Sequence, residues 1–198
     1  MEVTICLFAK APILGQVKTR MQRVLTPAEC LALHCKLLET CCANLAQAPS
    51  ACSVELHVTA LHSHFADLSQ RHGFAIKQQR GRHLGARMSH AVRQSLRCAE
   101  AVVLVGADCP SVKGRLLSDM LSHLQTTDAV MIPAHDGGYV ALGLKRYAPE
   151  LFCNIAWGSP LVAEETRRRL EALQWSWVEM PAQADIDRPE DLVLLEGD

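Results

Sequence analysis

The chain has 198 residues, of which 49% are apolar and 21% charged, and a formal net charge of −1. These values fit one globular unit, expected to span 1–198, and exclude a disordered or collagen-like chain. They also leave no overall field to attract nucleic acid or an anionic membrane, so any anion site has to be local. The nine cysteines are scattered and include no C-x-x-C pair; this argues against a zinc module and for reduced thiols used as small apolar side chains. The opening MEVTICLFAK has no basic stretch before its apolar run, and the run is too short to span a bilayer. A soluble cytoplasmic protein is expected.

Val3 to Phe8 is rich in β-formers and reads as a first buried strand. It leads into AKAPILGQVKTR, a loop with Gly15 among the cations Lys10, Lys18 and Arg20. The loop matches neither the P-loop pattern nor G-x-G-x-x-G, since it holds one glycine. The chemistry survives the failed patterns. A glycine lets backbone approach a ligand, and N–H groups with cations are what a polyphosphate needs. Arg20 offers a bidentate fork and the lysines offer point charges. The alternative is a solvated basic loop.

Thr26-Pro27-Ala28-Glu29 is a capping box with proline at the first helical position. Apolar residues at helical spacing follow to Leu45, and Ala48-Pro49-Ser50 ends the helix. Val54 to Ala60 alternates apolar and polar, which predicts a half-buried strand with Glu55, His57 and Thr59 on its polar face. His62 to His72 predicts a short helix carrying surface histidines, and Ala75 to Gln79 a short strand. A glycine-bearing loop around Gly81 then precedes a helix with Leu84, Met88, Ala91, Val92 and Leu96 on one face. Such a loop could let a flat ring approach the backbone.

Val102 to Val105 is an unbroken apolar run, the mark of a strand buried on both faces. It runs into Gly106, Asp108 and Pro110. Asp108 is either a turn cap or a functional carboxylate at the end of a strand, where open α/β sheets bind ligands. Leu116 to Leu124 predicts a helix. Asp128 to Pro133 and Tyr139 to Leu144 predict a hairpin around Asp136-Gly137-Gly138. Ser159 and Pro160 predict the N-cap and first residue of a helix, whose Arg167-Arg168-Arg169 run reads as a solvated face. Trp175 to Met180 predicts a late edge strand. Near the end, Asp187 and Glu190 predict a capping box for a last helix, which leaves Asp185 without a structural duty. Strands alternating with helices predict an α/β fold with a mixed, mainly parallel sheet.

A cationic loop after the first strand and carboxylates at Asp108 and Asp185 form a set suited to Mg²⁺ or Mn²⁺ with a nucleotide polyphosphate. FAKAPILGQVKTR, GADCP, HDGGYVALGL, WGSP and DIDRPEDL resemble, in order and over nearly the whole chain, a bacterial family of small GT-A-like transferases. Its members are labelled glycosyltransferase-like or radical-SAM/selenodomain-associated transferase. They are related to 2-phospho-lactate guanylyltransferase and the molybdenum-cofactor nucleotidyltransferases. The resemblance implies the GT-A, or nucleotide-diphospho-sugar transferase, fold, Rossmann-like with helices on both faces. It implies that Lys10, Gly15, Lys18 and Arg20 hold phosphates, that Gly81 meets the base, and that Asp108 and Asp185 hold the metal. Lys18, Arg20 and Asp108 would be catalytic, and Asp136, Gly137, Gly138, Tyr139 and Trp157 would face a small-molecule acceptor.

The chain departs from the family pattern at three places. Arg82-His83 stands where an aspartate often precedes L-G-x-R-M, Ser159-Pro160 replaces the end of W-G-T-S, and Val140 replaces a tyrosine. Gly106 stands where many glycosyltransferases carry the first aspartate of D-x-D. That favours nucleotidyl transfer from a nucleoside triphosphate to a phosphorylated acceptor. Glycosyl transfer from a nucleotide-sugar and a non-catalytic nucleotide-binding module are the alternatives.

Overall fold

Two apolar runs set the centre of the sheet. β1 (Val3–Ala9) and β4 (Ala101–Gly106) are buried along almost their whole length and pair in parallel, Val3 opposite Ala101 and Phe8 opposite Gly106. β2 (Cys52–Val58) and β3 (Ala75–Gln78) extend the sheet in parallel beyond β1. On the other side β6 (Tyr139–Leu144) runs antiparallel between β4 and β5 (Ala129–Pro133), and β7 (Trp177–Glu179) closes that edge parallel to β5. The order is β3-β2-β1-β4-β6-β5-β7 in one seven-stranded sheet. The expected mixed, mainly parallel sheet is therefore the one observed, hairpin and late edge strand included. The structure is a computed structural model that describes residues 1–195; residues 196–198 of the expected unit lie outside the described residues.

Helices cover both faces. α1 (Pro27–Leu45), α2 (Ser63–His72) and α4 (Gly114–Thr126) pack on one, through residues such as Leu38, Phe65 and Met120. α3 (Leu84–Ser95) and α5 (Val162–Ala172) pack on the other, through Met88, Val92 and Leu170. α1 begins as its sequence demands: the Glu29 N–H donates to Thr26 Oγ1 at 3.2 Å, and the Thr26 N–H donates to the Glu29 carboxylate at 2.8 Å. Such a cap is worth about 1 kcal/mol. Among the described residues no helix is long and apolar enough to cross a membrane.

Four expectations need correction. His57 is buried although alternation assigned its face of β2 to solvent: its ring stacks on Phe8 of β1 at 5.2 Å, on the sheet face against which α3 packs. Ser159 does not cap α5: that helix starts at Val162, and Ser159 Oγ takes the Leu161 N–H two residues on, so Pro160 lies in the preceding turn. Arg169 is no solvated side chain; it pairs with Glu165 at 2.9 Å and donates to the carbonyls of Glu150, Cys153 and Asn154. The last helix is a 3-10 turn over Pro189–Leu195, and its cap is Asp191, whose carboxylate accepts the N–H groups of Asp187 and Arg188 at 3.0 and 2.7 Å. Glu190 has no such part, and the Asp187 carboxylate is free to face elsewhere.

Candidate active site at the carboxyl ends of the strands

The sheet order reverses at β1 and β4. The chain leaves β1 toward β2 and β3 on one side, while β4 lies on the other, so a crevice opens at their carboxyl ends. A cleft of about 530 Å³ occupies this place, floored by Phe8, Ala9 and Leu104 to Asp108. That is the size range of small-molecule sites.

Lys18 is the cleft's central charge. Its backbone is left-handed (φ 47°, ψ 39°), a conformation that costs a non-glycine residue roughly 1–2 kcal/mol and persists only where surroundings enforce it. Its side chain is only 4% exposed. The ammonium donates to the Ile186 carbonyl at 2.6 Å and to Asp108 Oδ2 at 3.2 Å, and lies 3.6 Å from Asp187 Oδ1. Arg20 Nη1 takes the other Asp187 oxygen at 2.8 Å. Burial would discharge Lys18, but Asp108 and Asp187 outweigh it and hold the ammonium above its ordinary pKa. Burial likewise opposes ionisation of Asp108, and the adjacent ammonium outweighs it and holds the carboxyl below the usual range.

Asp108 follows β4 directly, whereas Asp187 and Asp185 come from a segment laid across the strand ends. Gln183 bridges in parallel to Ala134 just beyond β5, and the Ile186 N–H donates to the Asp108 carbonyl at 3.1 Å. Ile186 is buried in a small apolar cluster with Met21, Cys30 and Leu37. With Ile186 anchored, its neighbours on either side meet the site. Asp187 lines the cleft, and Asp185 lines an adjoining hollow that shares Asp136 and Asp187 with it. Burial raises the Asp185 pKa to about 6, with the negative charges of Asp108, Asp136 and Asp187 adding to it.

The opposite wall is aromatic. Tyr139 and Trp157 meet edge to face at 6.5 Å. The Tyr139 hydroxyl donates to Met88 Sδ at 3.6 Å, and burial pushes its pKa up, so the phenol is neutral. Gly85, the second residue of α3, lets the Trp157 indole and the Phe152 carbonyl come so close that a Cβ would collide with both. Gly137 (φ +91°) does the same for the Pro160 backbone, and its carbonyl accepts the Ala163 N–H at 2.9 Å. Asp136 Oδ1 accepts the Gly138 N–H at 2.9 Å and so shapes the turn.

Among the expected site residues, Lys10, Lys18, Asp108, Asp136, Gly138, Tyr139 and Trp157 all line the cleft. Arg20 is 47% exposed and stands beside Gly158 and Asp187. Gly15, Gly81 and Gly137 are not in the cleft lining. Gly15 (φ +76°) lies in an exposed turn, and Gly81 (φ +140°) is required where a Cβ would strike the start of α3 at 2.8 Å. The departure at His83 is made good locally: its Nδ1 accepts the Ala86 N–H at 3.3 Å and caps α3.

Sequence reasoning missed His34, Gln79, Arg87 and Asp187. His34 looked like one residue of an amphipathic helix; it is buried, and its Nε2 donates to the Lys10 carbonyl at 2.9 Å. A carbonyl only accepts, so Nε2 carries the proton, and burial keeps the ring neutral. Gln79 Nε2 donates to the Ala9 and His57 carbonyls at 3.3 and 2.8 Å, tying β3 to the ends of β1 and β2. Arg87 lies in the quoted L-G-x-R-M stretch, the one signal that could have found it; its Nε donates to the Gly81 carbonyl at 3.1 Å.

Asp108, Asp136, Asp185 and Asp187 offer hard oxygen donors, crowded enough that Asp185 resists ionisation. One or two such carboxylates, completed by phosphate and water oxygens, suit Mg²⁺ or Mn²⁺, but no three of these four bring their oxygens within 4.8 Å of one another; among the described residues the group that does so is Cys6, Glu55 and His57. It lies on the sheet face under α3, and Glu55 is already engaged by His57 at 3.0 Å and Lys77 at 3.6 Å.

Residues 43–159 match a family described as an uncharacterised protein conserved in bacteria, DUF2064, and the chain belongs to it. No curated protein matches. A solved structure from Desulfovibrio desulfuricans, described as a candidate nucleotide-diphospho-sugar transferase, is 27% identical, with a TM-score of 0.88 over 98% of this chain and 87% of that one. A cytidylyltransferase from Leptospira borgpetersenii is 14% identical, with a TM-score of 0.62 over 99% and 85%. A Mycobacterium tuberculosis protein solved as a manganese complex is 15% identical, with a TM-score of 0.61 over the whole of both chains. The fold is thus the nucleotide-diphospho-sugar transferase fold that the motifs implied.

Proposed function

We propose that this protein is a cytoplasmic, metal-dependent transferase that moves the nucleotidyl group of a nucleoside triphosphate onto a phosphorylated small-molecule acceptor. The observation that carries this reading is the pairing of Lys18 and Arg20 with Asp108 and Asp187 at the strand-order reversal. Cations there suit a triphosphate, and carboxylates suit its metal. An acceptor phosphate oxygen attacks the α-phosphorus, a new P–O bond forms, and the bond to pyrophosphate breaks. Lys18 and Arg20 hold the phosphates and neutralise charge on the departing pyrophosphate. Asp108 and Asp185, with Asp187, would hold Mg²⁺ or Mn²⁺, which shields the phosphate charge when bound. Lys10 and Arg87 add positive charge within the same cleft. Asp136, Gly138, Tyr139 and Trp157 form the wall against which the acceptor is set.

Glycosyl transfer from a nucleotide-sugar is the second reading, favoured by the description of the 27% identical neighbour. A panel of nucleoside triphosphates and nucleotide-sugars with Mn²⁺ tests both, read first as a rise in melting temperature, because ligand binding stabilises the folded state. The expected result is stabilisation by a triphosphate and, with acceptor, release of pyrophosphate. Stabilisation by a nucleotide-sugar with release of nucleoside diphosphate would move the assignment to the second reading. No stabilisation by any member overturns both.

A further inference from the structure

Every oxygen of Asp108 and Asp187 already faces a donor. Asp108 Oδ2 takes the Lys18 ammonium at 3.2 Å, and Asp108 Oδ1 takes the Cys109 thiol at 3.4 Å. Asp187 Oδ1 faces Lys18 at 3.6 Å, and Asp187 Oδ2 takes Arg20 at 2.8 Å. Two positive side chains stand against two negative ones, so the seam is neutral as it is. A divalent ion that closed onto these oxygens at its own distance of about 2.1 Å would have to displace a donor. With Lys18 still in place it would also stand against a buried positive charge.

We propose that Lys18 is a displaceable internal counter-ion: it holds Asp108 and Asp187 until a polyphosphate draws its ammonium away, so metal and polyphosphate bind as a coupled pair. The inference rests on the metal-dependent reading of the cleft given above. Its basis is geometric. Lys18 contributes a single long side chain, its partners come from two separate segments, and a polyphosphate in the cleft offers the ammonium more negative charge than the carboxylates do. Lys18 then serves twice: it sets when the carboxylates become available, and once drawn away it meets the phosphates directly. Coupling of this kind is reciprocal, so metal must strengthen polyphosphate binding by the factor that polyphosphate strengthens metal binding. Arg20, more exposed and engaging one oxygen of Asp187, carries a smaller share.

Calorimetry and Mn²⁺ electron paramagnetic resonance on the full chain test this with three probes: Mn²⁺ alone, inorganic tripolyphosphate alone, and their equimolar complex. The wild-type protein is expected to bind the complex about tenfold or more tighter than either probe alone. Lys18→Met should bind Mn²⁺ alone about tenfold or more tighter than the wild type and lose the coupling. Circular dichroism checks its folding; should it fail to fold, Lys18→Gln, which keeps a donor for the Ile186 carbonyl, replaces it. The proposal is overturned if the wild type binds Mn²⁺ alone as tightly as the complex, or if the folded variant gains no affinity for Mn²⁺. Binding of the complex with no gain in the variant removes this inference and leaves the metal-dependent reading standing. Absence of any binding removes both.

Discussion

Two polar clusters are built into this sheet, and they differ in how they are balanced. Cys6, Glu55 and His57 are neighbours in one strand ladder, Cys6 directly opposite Glu55. Their protons and charges are settled among themselves and their immediate neighbours, Lys77 on Glu55 and Ser95 on Cys6. Burial pushes the Cys6 thiol up to about 12, so it stays neutral, and a hydrogen bond from His57 holds Glu55 below the ordinary carboxylate range. Lys18, Asp108 and Asp187 instead converge from far apart in the chain at the carboxyl ends of the strands. Their pairing is mutual, but Asp136 and Asp185 lie beside it, and the Asp185 pKa is raised first by burial and then by the negative charges of Asp108 and Asp136. A cluster that satisfies itself holds a sheet together. A cluster with carboxylate to spare is the one to which the proposed function assigns the cation.

The largest effect expected from this contrast is at Asp108. Asp108→Asn should weaken Mn²⁺-dependent nucleotide binding by about a hundredfold or more. Lys18 retains the Ile186 carbonyl and Asp187, so the variant should keep its circular dichroism spectrum. Cys6→Ala serves as the counterpart. It should cost about 1–2 kcal/mol in urea unfolding as a buried side chain is cut back, while binding stays within about twofold of the wild type. If Cys6→Ala removes metal-dependent binding and Asp108→Asn does not, the two clusters have been given each other's roles.

The same contrast explains what the sequence let one read. The strands and helices were legible because their signals are local: unbroken apolar runs for β1 and β4, a capping box for α1, turn residues for the β5–β6 hairpin. Lys18 and Asp108 could be chosen as site residues because each is a charge at the end of a buried strand or in the loop that follows it. His34 could not, since nothing in a helical pattern says which polar residue will reach a distant carbonyl. His57 was misplaced because alternation reports one face of a strand and cannot tell that a helix covers the other. Asp187 reads as a cap because D-x-x-E has that meaning locally, whereas Asp191 supplies the cap and the Asp187 carboxylate turns to Lys18 and Arg20.

That exchange of roles gives the next test. Asp191→Ala should lower stability by about 0.5–2 kcal/mol through loss of a cap, with metal affinity unchanged. Asp187→Ala should lower stability too, because it removes one of the two carboxylates that offset the burial of Lys18, while its half-exposed Arg20 pair contributes little. Its larger effect should fall on Mn²⁺-dependent binding. Urea titration and calorimetry on the two variants separate cap from site, and an Asp187→Ala protein with unaltered binding would return Asp187 to a purely structural duty.

The smallest effect is the dependence of stability on Asp185. Its folded pKa is about 6, above the ordinary 3.8 of an aspartate. The folded protein therefore holds this proton more tightly than the unfolded chain does, and stability falls as pH rises from about 4 to about 6. Asp185→Asn removes that penalty. In metal-free buffer the variant should match the wild type near pH 4 and be more stable by about 1 kcal/mol above pH 6, the figure being reduced for partial exposure. Adding Mn²⁺ to the wild type should shrink the difference, since a bound cation favours the carboxylate against the burial and the Asp108 and Asp136 charges that keep the proton on. A difference that stays constant across this range, or grows toward low pH, would show that the fold does not raise the Asp185 pKa, and a difference that Mn²⁺ leaves untouched would remove the support for spare carboxylate beside the Lys18 pairing.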